Sequence, residues 1–204
     1  MTIDATRIDA AAVADAEEPD IVANQAFGFW IYLMTDLVLF AALFAVFGTL
    51  AHNYAGGPTG KDLFHLTDTF KETMLLLFSS ATFGMVILAV HENRKKKLLL
   101  WLMITFLLGL GFIVMEINEF YGLITDGNGP GRSAFISAYF TLVGTHGLHV
   151  TVGLVWMAAM AAQVFIKNLT TPVQSRLLRL SMFWHFLDIV WVGVFTGVYL
   201  RGVL

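Results

Sequence analysis

Long apolar stretches alternate with short polar breaks along the chain. Apolar runs cover about 27–50, 70–90, 98–118, 134–166 and 180–200, each able to cross about 30 Å of hydrocarbon at about 1.5 Å per residue. The breaks carry recognisable signals: Gly56-Gly57-Pro58 with Lys61 and Asp62, then His91-Glu92-Asn93-Arg94-Lys95-Lys96-Lys97, then Asp126-Gly127-Asn128-Gly129-Pro130-Gly131, and last the segment 168–179 around Pro172. The pattern predicts an all-α membrane protein, a bundle of five transmembrane helices over 27–204. The fourth run is too long for one perpendicular crossing, so that helix is expected to tilt or to project beyond the bilayer.

Composition agrees with the pattern. Of 204 residues, 57% are hydrophobic and 13% charged, against about 45–50% and about 25% in soluble domains. The 18 Phe and 18 Gly suit helices packed closely in lipid. Residues 1–26 differ: they hold Asp4, Asp9, Asp15, Glu17, Glu18 and Asp20 against Arg7 alone. That is the reverse of a signal peptide's basic start, and the segment reads as a mobile solvated tail in which 8–18 could form a short surface helix.

Charge adds a direction. Arg7, Arg94, Lys95, Lys96, Lys97, Lys167, Arg176 and Arg179 fall on one side, and Lys61, Lys71, Arg132 and Arg201 on the other. Basic loops stay inside, so the N-terminus is expected in the cytoplasm and the C-terminus in the periplasm. Trp30 and Trp101 near inner ends, and Tyr54, Tyr121 and Tyr199 near outer ends, fit an aromatic belt. Arg94 to Lys97 reads first as a topology anchor and second as a seat for anionic lipid headgroups. The net charge of −3 and the scattered basic residues give no stripe for nucleic acid. Without cysteine there is no disulfide, thiolate metal site or thiol nucleophile.

Charged groups inside hydrocarbon cost about 2.5–3.5 kcal/mol each on insertion scales, so the few present call for a partner or a task. They are Asp36 in the first span, Glu72 near the outer start of the second, Glu116 and Glu119 at the outer end of the third, His146 and His149 in the fourth, and His185 and Asp188 in the fifth. Counting from the helix ends places Asp36, His146, His149, His185 and Asp188 together in the cytoplasmic half, with the three glutamates apart at the outer end. His146 with His149, and His185 with Asp188, stand three residues apart and share a face. The cluster can serve proton handling or headgroup binding, or act as hydrogen-bonded glue between helices. A metal or haem reading of the His-x-x-His face is weaker, since Leu148, Val150, Phe183 and Phe186 leave no slot for a macrocycle. No metal ligand set and no catalytic residue is assigned. The spacings Ser80-x-x-x-Gly84 and Gly193-x-x-x-Gly197 permit close helix contact, and no hydrolase or phosphate-loop motif is present.

These residues resemble subunit III of the haem-copper oxidases across 27–204. The segment Phe27-Gly28-Phe29-Trp30-Ile31-Tyr32-Leu33-Met34-Thr35-Asp36, with Leu39-Phe40, is similar to that family's first shared helix, whose acid is usually Glu rather than Asp. Leu77-Phe78-Ser79-Ser80-Ala81-Thr82, Glu116-Ile117-Asn118-Glu119, Thr145-His146-Gly147-Leu148-His149-Val150 and Phe183-Trp184-His185-Phe186-Leu187-Asp188-Ile189-Val190-Trp191 resemble its other signatures. Five helices rather than seven, and Gly56-Gly57-Pro58-Thr59-Gly60-Lys61-Asp62, resemble the quinol oxidase members.

The resemblance implies a bacterial inner-membrane subunit without a redox centre, in a complex that passes electrons from ubiquinol to oxygen and pumps protons. It implies haem and copper in a partner subunit I, further subunits II and IV, bound phospholipid, and a role in assembly and sustained proton uptake. The equivalent subunit of a cytochrome c oxidase or nitric oxide reductase complex is the alternative. A free-standing proton or ion transporter is disfavoured by the lack of an inverted repeat with broken helices.

Overall fold

The computed structural model describes residues 21–63 and 66–203. Five long helices, α1 Ile21–Leu50, α2 Leu66–His91, α3 Lys95–Thr125, α4 Ala134–Lys167 and α5 Thr171–Val194, are each long and apolar enough to cross a membrane. α5 continues through a π-helical segment, Phe195–Leu200, into a last turn, Arg201–Val203, and one short helix, Gly60–Leu63, lies between α1 and α2. The expected surface helix at 8–18 lies outside the described residues.

Helix ends follow local chemistry. Asn93 and Asn168, just past α2 and α4, take positive φ of 53° and 59°, a conformation Asn tolerates better than most side chains. Ser133 caps α4, its hydroxyl accepting from the Ile136 N–H at 3.2 Å. Three boundaries differ most from the sequence expectation. α3 runs on from 118 to Thr125, because a helix projecting past hydrocarbon can carry Glu119 and Tyr121 without an apolar signal. α5 begins at Thr171 rather than near 180, because Pro172 sits in the first turn, where its missing N–H has no helical partner to lose. α1 likewise takes in residues 21–26 of the expected tail.

α2 packs along α3, α3 against α4, α4 against α5, and α5 back against α2, while α1 lies on α4 and α5. The ends carrying the glycine-rich breaks meet on one side: the Phe135 N–H donates to the Asn53 carbonyl, and Gly60 abuts the Gly202 backbone so closely that a Cβ would stand 2.7 Å from its oxygen. Arg94 with the basic first turn of α3, Lys95 to Lys97, and the turn at 168–170 form the other end, joined where Lys95 donates to the Phe165 carbonyl and the Asn168 amide oxygen.

Candidate functional site

The interior is organised by two tryptophans of α5, seven residues and hence two turns apart on one face. The Trp184 indole donates to Ser79 Oγ of α2 at 3.0 Å and lies against Gly109 of α3 and Gly153 of α4. The Trp191 indole donates to Thr73 Oγ1 of α2 at 3.1 Å and packs edge-on against Phe112 of α3, 4.7 Å between centroids. Each ring thus finds the acceptor that a buried N–H needs. Thr82 and Thr105 add a hydroxyl pair at 2.9 Å between α2 and α3.

His146 sits in this aromatic layer and is fully buried. Trp191, Phe112 and Phe40 surround it at centroid distances of 5.2, 5.8 and 6.3 Å, and neither ring nitrogen has a hydrogen-bond partner among the described residues. His149, one turn on, places Nδ1 2.7 Å from the Thr145 carbonyl and meets Phe40 at a 58° tilt, 5.2 Å between centroids. Asp36, one turn before Phe40 on α1, is buried beside Tyr32 of its own helix. On α5, Asp188 faces Ser80 of α2 and interacts with His185, which meets the edge of Phe83 at 6.3 Å. Four of the five therefore fall into two pairs, with Asp36 apart on α1. His146 and His149 face α1 through Phe40, whereas His185 and Asp188 face α2, and no hydrogen bond joins any two of the five.

The carboxylates expected at the outer end show a closer association. Glu119 of α3 accepts from the Tyr139 hydroxyl of α4 at 3.0 Å and from the Tyr199 hydroxyl at 3.1 Å, and the two hydroxyls lie 2.8 Å apart. Tyr199, expected in the aromatic belt, is instead fully buried: it lies in the π-helical segment and turns into the bundle. Glu72 and Glu116 interact electrostatically with Glu119 or each other, are 2% and 3% exposed, and each keeps one oxygen without a partner among the described residues. Glu116 also lies deeper than the sequence suggested. Nine residues of α3 follow it, about 14 Å of helix, and its carboxylate fills the space a side chain on Gly147 would take, next to His146.

At the basic end, Arg94 and Lys97 each stand 3.4 Å from Glu92, Lys95 is tied to the end of α4 and lies 5.3 Å over the Phe165 ring, and Lys96 is exposed. Among the described residues, no group of three or more His, Asp or Glu side chains is placed to hold a metal ion. The enclosed faces of His146 leave no room for a haem.

Sequence reasoning missed Ser79, Thr73, Tyr139 and the three tight glycines, Gly109, Gly147 and Gly153. A signal existed for the hydroxyls: two tryptophans deep in an apolar run require acceptors on neighbouring helices. None existed for the glycines, because Gly84, which the small-residue spacing singled out, faces open space, and Gly193 and Gly197 meet only Phe44.

Together these contacts define a helical membrane subunit whose interior is closed by aromatic rings, hydroxyls and carboxylates. The chain belongs to the family described as cytochrome c oxidase subunit III, whose profile matches residues 9–203. Similar relatives include a cytochrome bo(3) ubiquinol oxidase subunit 3 from Pseudomonas aeruginosa, 55% identical over 91% of this chain and 88% of its own length. A quinol oxidase subunit 3 from Bacillus subtilis is 45% identical over 86% of each. A cytochrome c oxidase subunit 3 from Bacillus sp. strain PS3 is 42% identical over 89% of this chain and 87% of its own.

Proposed function

We propose that this chain is the non-redox third subunit of a proton-pumping terminal quinol oxidase in a bacterial inner membrane. In this reading ubiquinol is oxidised and oxygen reduced at haem and copper held by subunit I, with subunits II and IV completing the complex. The observation that carries it is the 55% identity, over nearly the whole of both chains, to a relative named for a ubiquinol oxidase. The part played by this chain is assembly, lipid retention and sustained proton uptake, with Asp36 acting on the uptake side. The N-terminus and the basic residues Arg94 to Lys97 lie on the cytoplasmic side, and the C-terminus on the periplasmic side.

An anionic phospholipid at the basic end fits the same reading. A groove of about 510 Å³ between α3 and α4, lined by Leu99, Met103, Phe106, Ala158, Ala162 and Phe165, is apolar enough for an acyl chain. Lys95 and the exposed Lys96 stand at the same end, where a headgroup phosphate would lie.

The test is purification of the complex through this subunit in mild detergent. A haem spectrum in the complex, and oxygen consumption driven by ubiquinol rather than by reduced cytochrome c, are expected. Activity with reduced cytochrome c alone favours the second reading, a cytochrome c oxidase, for which the 42% identity to the Bacillus sp. strain PS3 subunit speaks. Failure to recover any haem protein rejects both.

A further inference from the structure

α5 crosses the bundle with one side left open. Its Trp184, Asp188 and Trp191 meet α2, through Ser79, Ser80 and Thr73. Its Phe186, Gly193 and Gly197 meet α1, through Phe40 and Phe44. On the arc between, Leu178, His185, Ile189, Val192 and Thr196 follow one another at spacings of seven, four, three and four residues, and all five are exposed.

His185 is out of place on a face turned to acyl chains. Fourteen residues of the α5 helix precede it and eighteen follow to Val203, so it stands near mid-span, beyond snorkelling reach of the headgroups. Ionisable side chains at that depth almost always face protein or water. Thr35, Thr141 and Thr196, also exposed on spans, each return their hydroxyl to a carbonyl of their own helix. An imidazole has two ring nitrogens, and the Ser181 carbonyl one turn back can engage only one. The flanks of this face carry small residues. Ala81 and Gly84 of α2, beside Ser80 and Phe83, are exposed, as are Ala41, Ala45 and Gly48 of α1, on either side of Phe44. A Cβ on Gly84 or Gly48 would meet nothing within 4 Å. Exposed small residues let two helix backbones approach closely, an advantage that lipid tails do not share.

We infer that this open face of α5, with its flanks on α1 and α2, seats a transmembrane helix of another subunit, one with small residues along the contact and a hydroxyl or carboxamide side chain opposite His185. Either group can both donate to and accept from an imidazole, so it satisfies the second ring nitrogen in either tautomer. An acyl chain can do neither. This occupant presupposes the oxidase complex proposed for the chain.

The experiment uses the intact complex in native membranes. A benzophenone amino acid placed at Ile189 is photo-activated before solubilisation, and mass spectrometry identifies the adduct. A peptide from a transmembrane span of another subunit is expected, with Ser, Thr, Asn or Gln within one turn of the cross-linked residue. An adduct with phospholipid alone, or with a second copy of this chain, overturns the proposal. In parallel, haem recovered with the tagged chain is measured and normalised to the amount of chain in the membrane. Gly84→Trp closes the α2 flank and should lower it about tenfold, the scale of overpacking a close contact. Val155→Trp, which puts the same ring on the outward face of α4, should leave it unchanged. His185→Leu suits lipid but removes the polar group, and should lower it about threefold, as for one interhelical hydrogen bond, whereas His185→Gln should keep it. Wild-type haem recovery with both Gly84→Trp and His185→Leu overturns the proposal. Haem missing already from the wild-type preparation rejects the oxidase reading instead, and the Ile189 adduct then still decides what lies on this face.

Discussion

A methyl group on Gly109 of α3 would stand 2.8 Å from the outer edge of the Trp184 ring of α5. Trp184 cannot retreat, because its indole N–H is held by Ser79 and its other edge lies on Gly153. Gly109→Ala should therefore destabilise the isolated subunit by about 1–3 kcal/mol, the range for overpacking a closed core. Gly84→Ala, where a Cβ meets nothing within 4 Å, serves as the control and should be neutral or better. Thermal unfolding in detergent, followed by size-exclusion profile, reads both; a stable Gly109→Ala chain refutes the tight contact.

Ser79→Ala tests the same pin from the other side. It leaves the buried Trp184 N–H without an acceptor, at a cost of about 1–3 kcal/mol. Thr73→Val does the same to Trp191 in nearly the same volume. Indole N–H exchange and thermal unfolding should both report the loss, in each case confined to the affected tryptophan.

How much of this was legible in the sequence depends on which force sets each feature. The five spans were, because hydropathy over about 20 residues is a direct measure of transfer into hydrocarbon. Their ends were not: residues 119–125 and 171–179 remain helical beyond the apolar run, and Pro172 signals a break and a helix start equally well. Shared faces could be read from three-residue spacing, as for His185 and Asp188. The helix that each face meets could not, since that is decided by packing, which is why Tyr199 looked like a belt residue and is instead a ligand of Glu119. Glu116 shows both effects, being misplaced in depth by the helix end and in company by the packing of Gly147.

The Glu119 clasp gives a graded prediction. Hydrogen bonds to a charged acceptor contribute about 1.5–3 kcal/mol each; Tyr139 and Tyr199 each donate their single O–H to the carboxylate, and their oxygens stand 2.8 Å apart. Tyr139→Phe and Tyr199→Phe should each lower the unfolding temperature, and the double variant should depart from the sum of the two losses, because the two hydroxyls share one acceptor. Strict additivity would mean that the two tyrosines act separately.

Topology has a direct check. A reporter fused after Leu204 should behave as periplasmic, and one placed in the turn at 92–94 between α2 and α3 as cytoplasmic. The reverse pattern would invert the bundle with respect to the leaflets without moving any residue within it.

The separation of the polar residues into two groups leads to a sharper expectation than a single cluster would. His149 bonds to the Thr145 carbonyl of its own helix and packs at a tilt against Phe40, while Asp188 faces Ser80 across the bundle. Truncating either, as His149→Ala or Asp188→Ala, should cost about 1–3 kcal/mol through the partner left unsatisfied, seen as weaker co-purification of the oxidase. With no shared partner, the two losses should add to within about 0.5 kcal/mol in the double variant. Asp36→Asn should behave differently again: assembly and initial quinol oxidase rate are preserved, while the rate decays faster during sustained turnover. Coupling well above 0.5 kcal/mol between His149 and Asp188 would mean that one polar network joins α4, α5 and α1, and that Asp36 belongs to it.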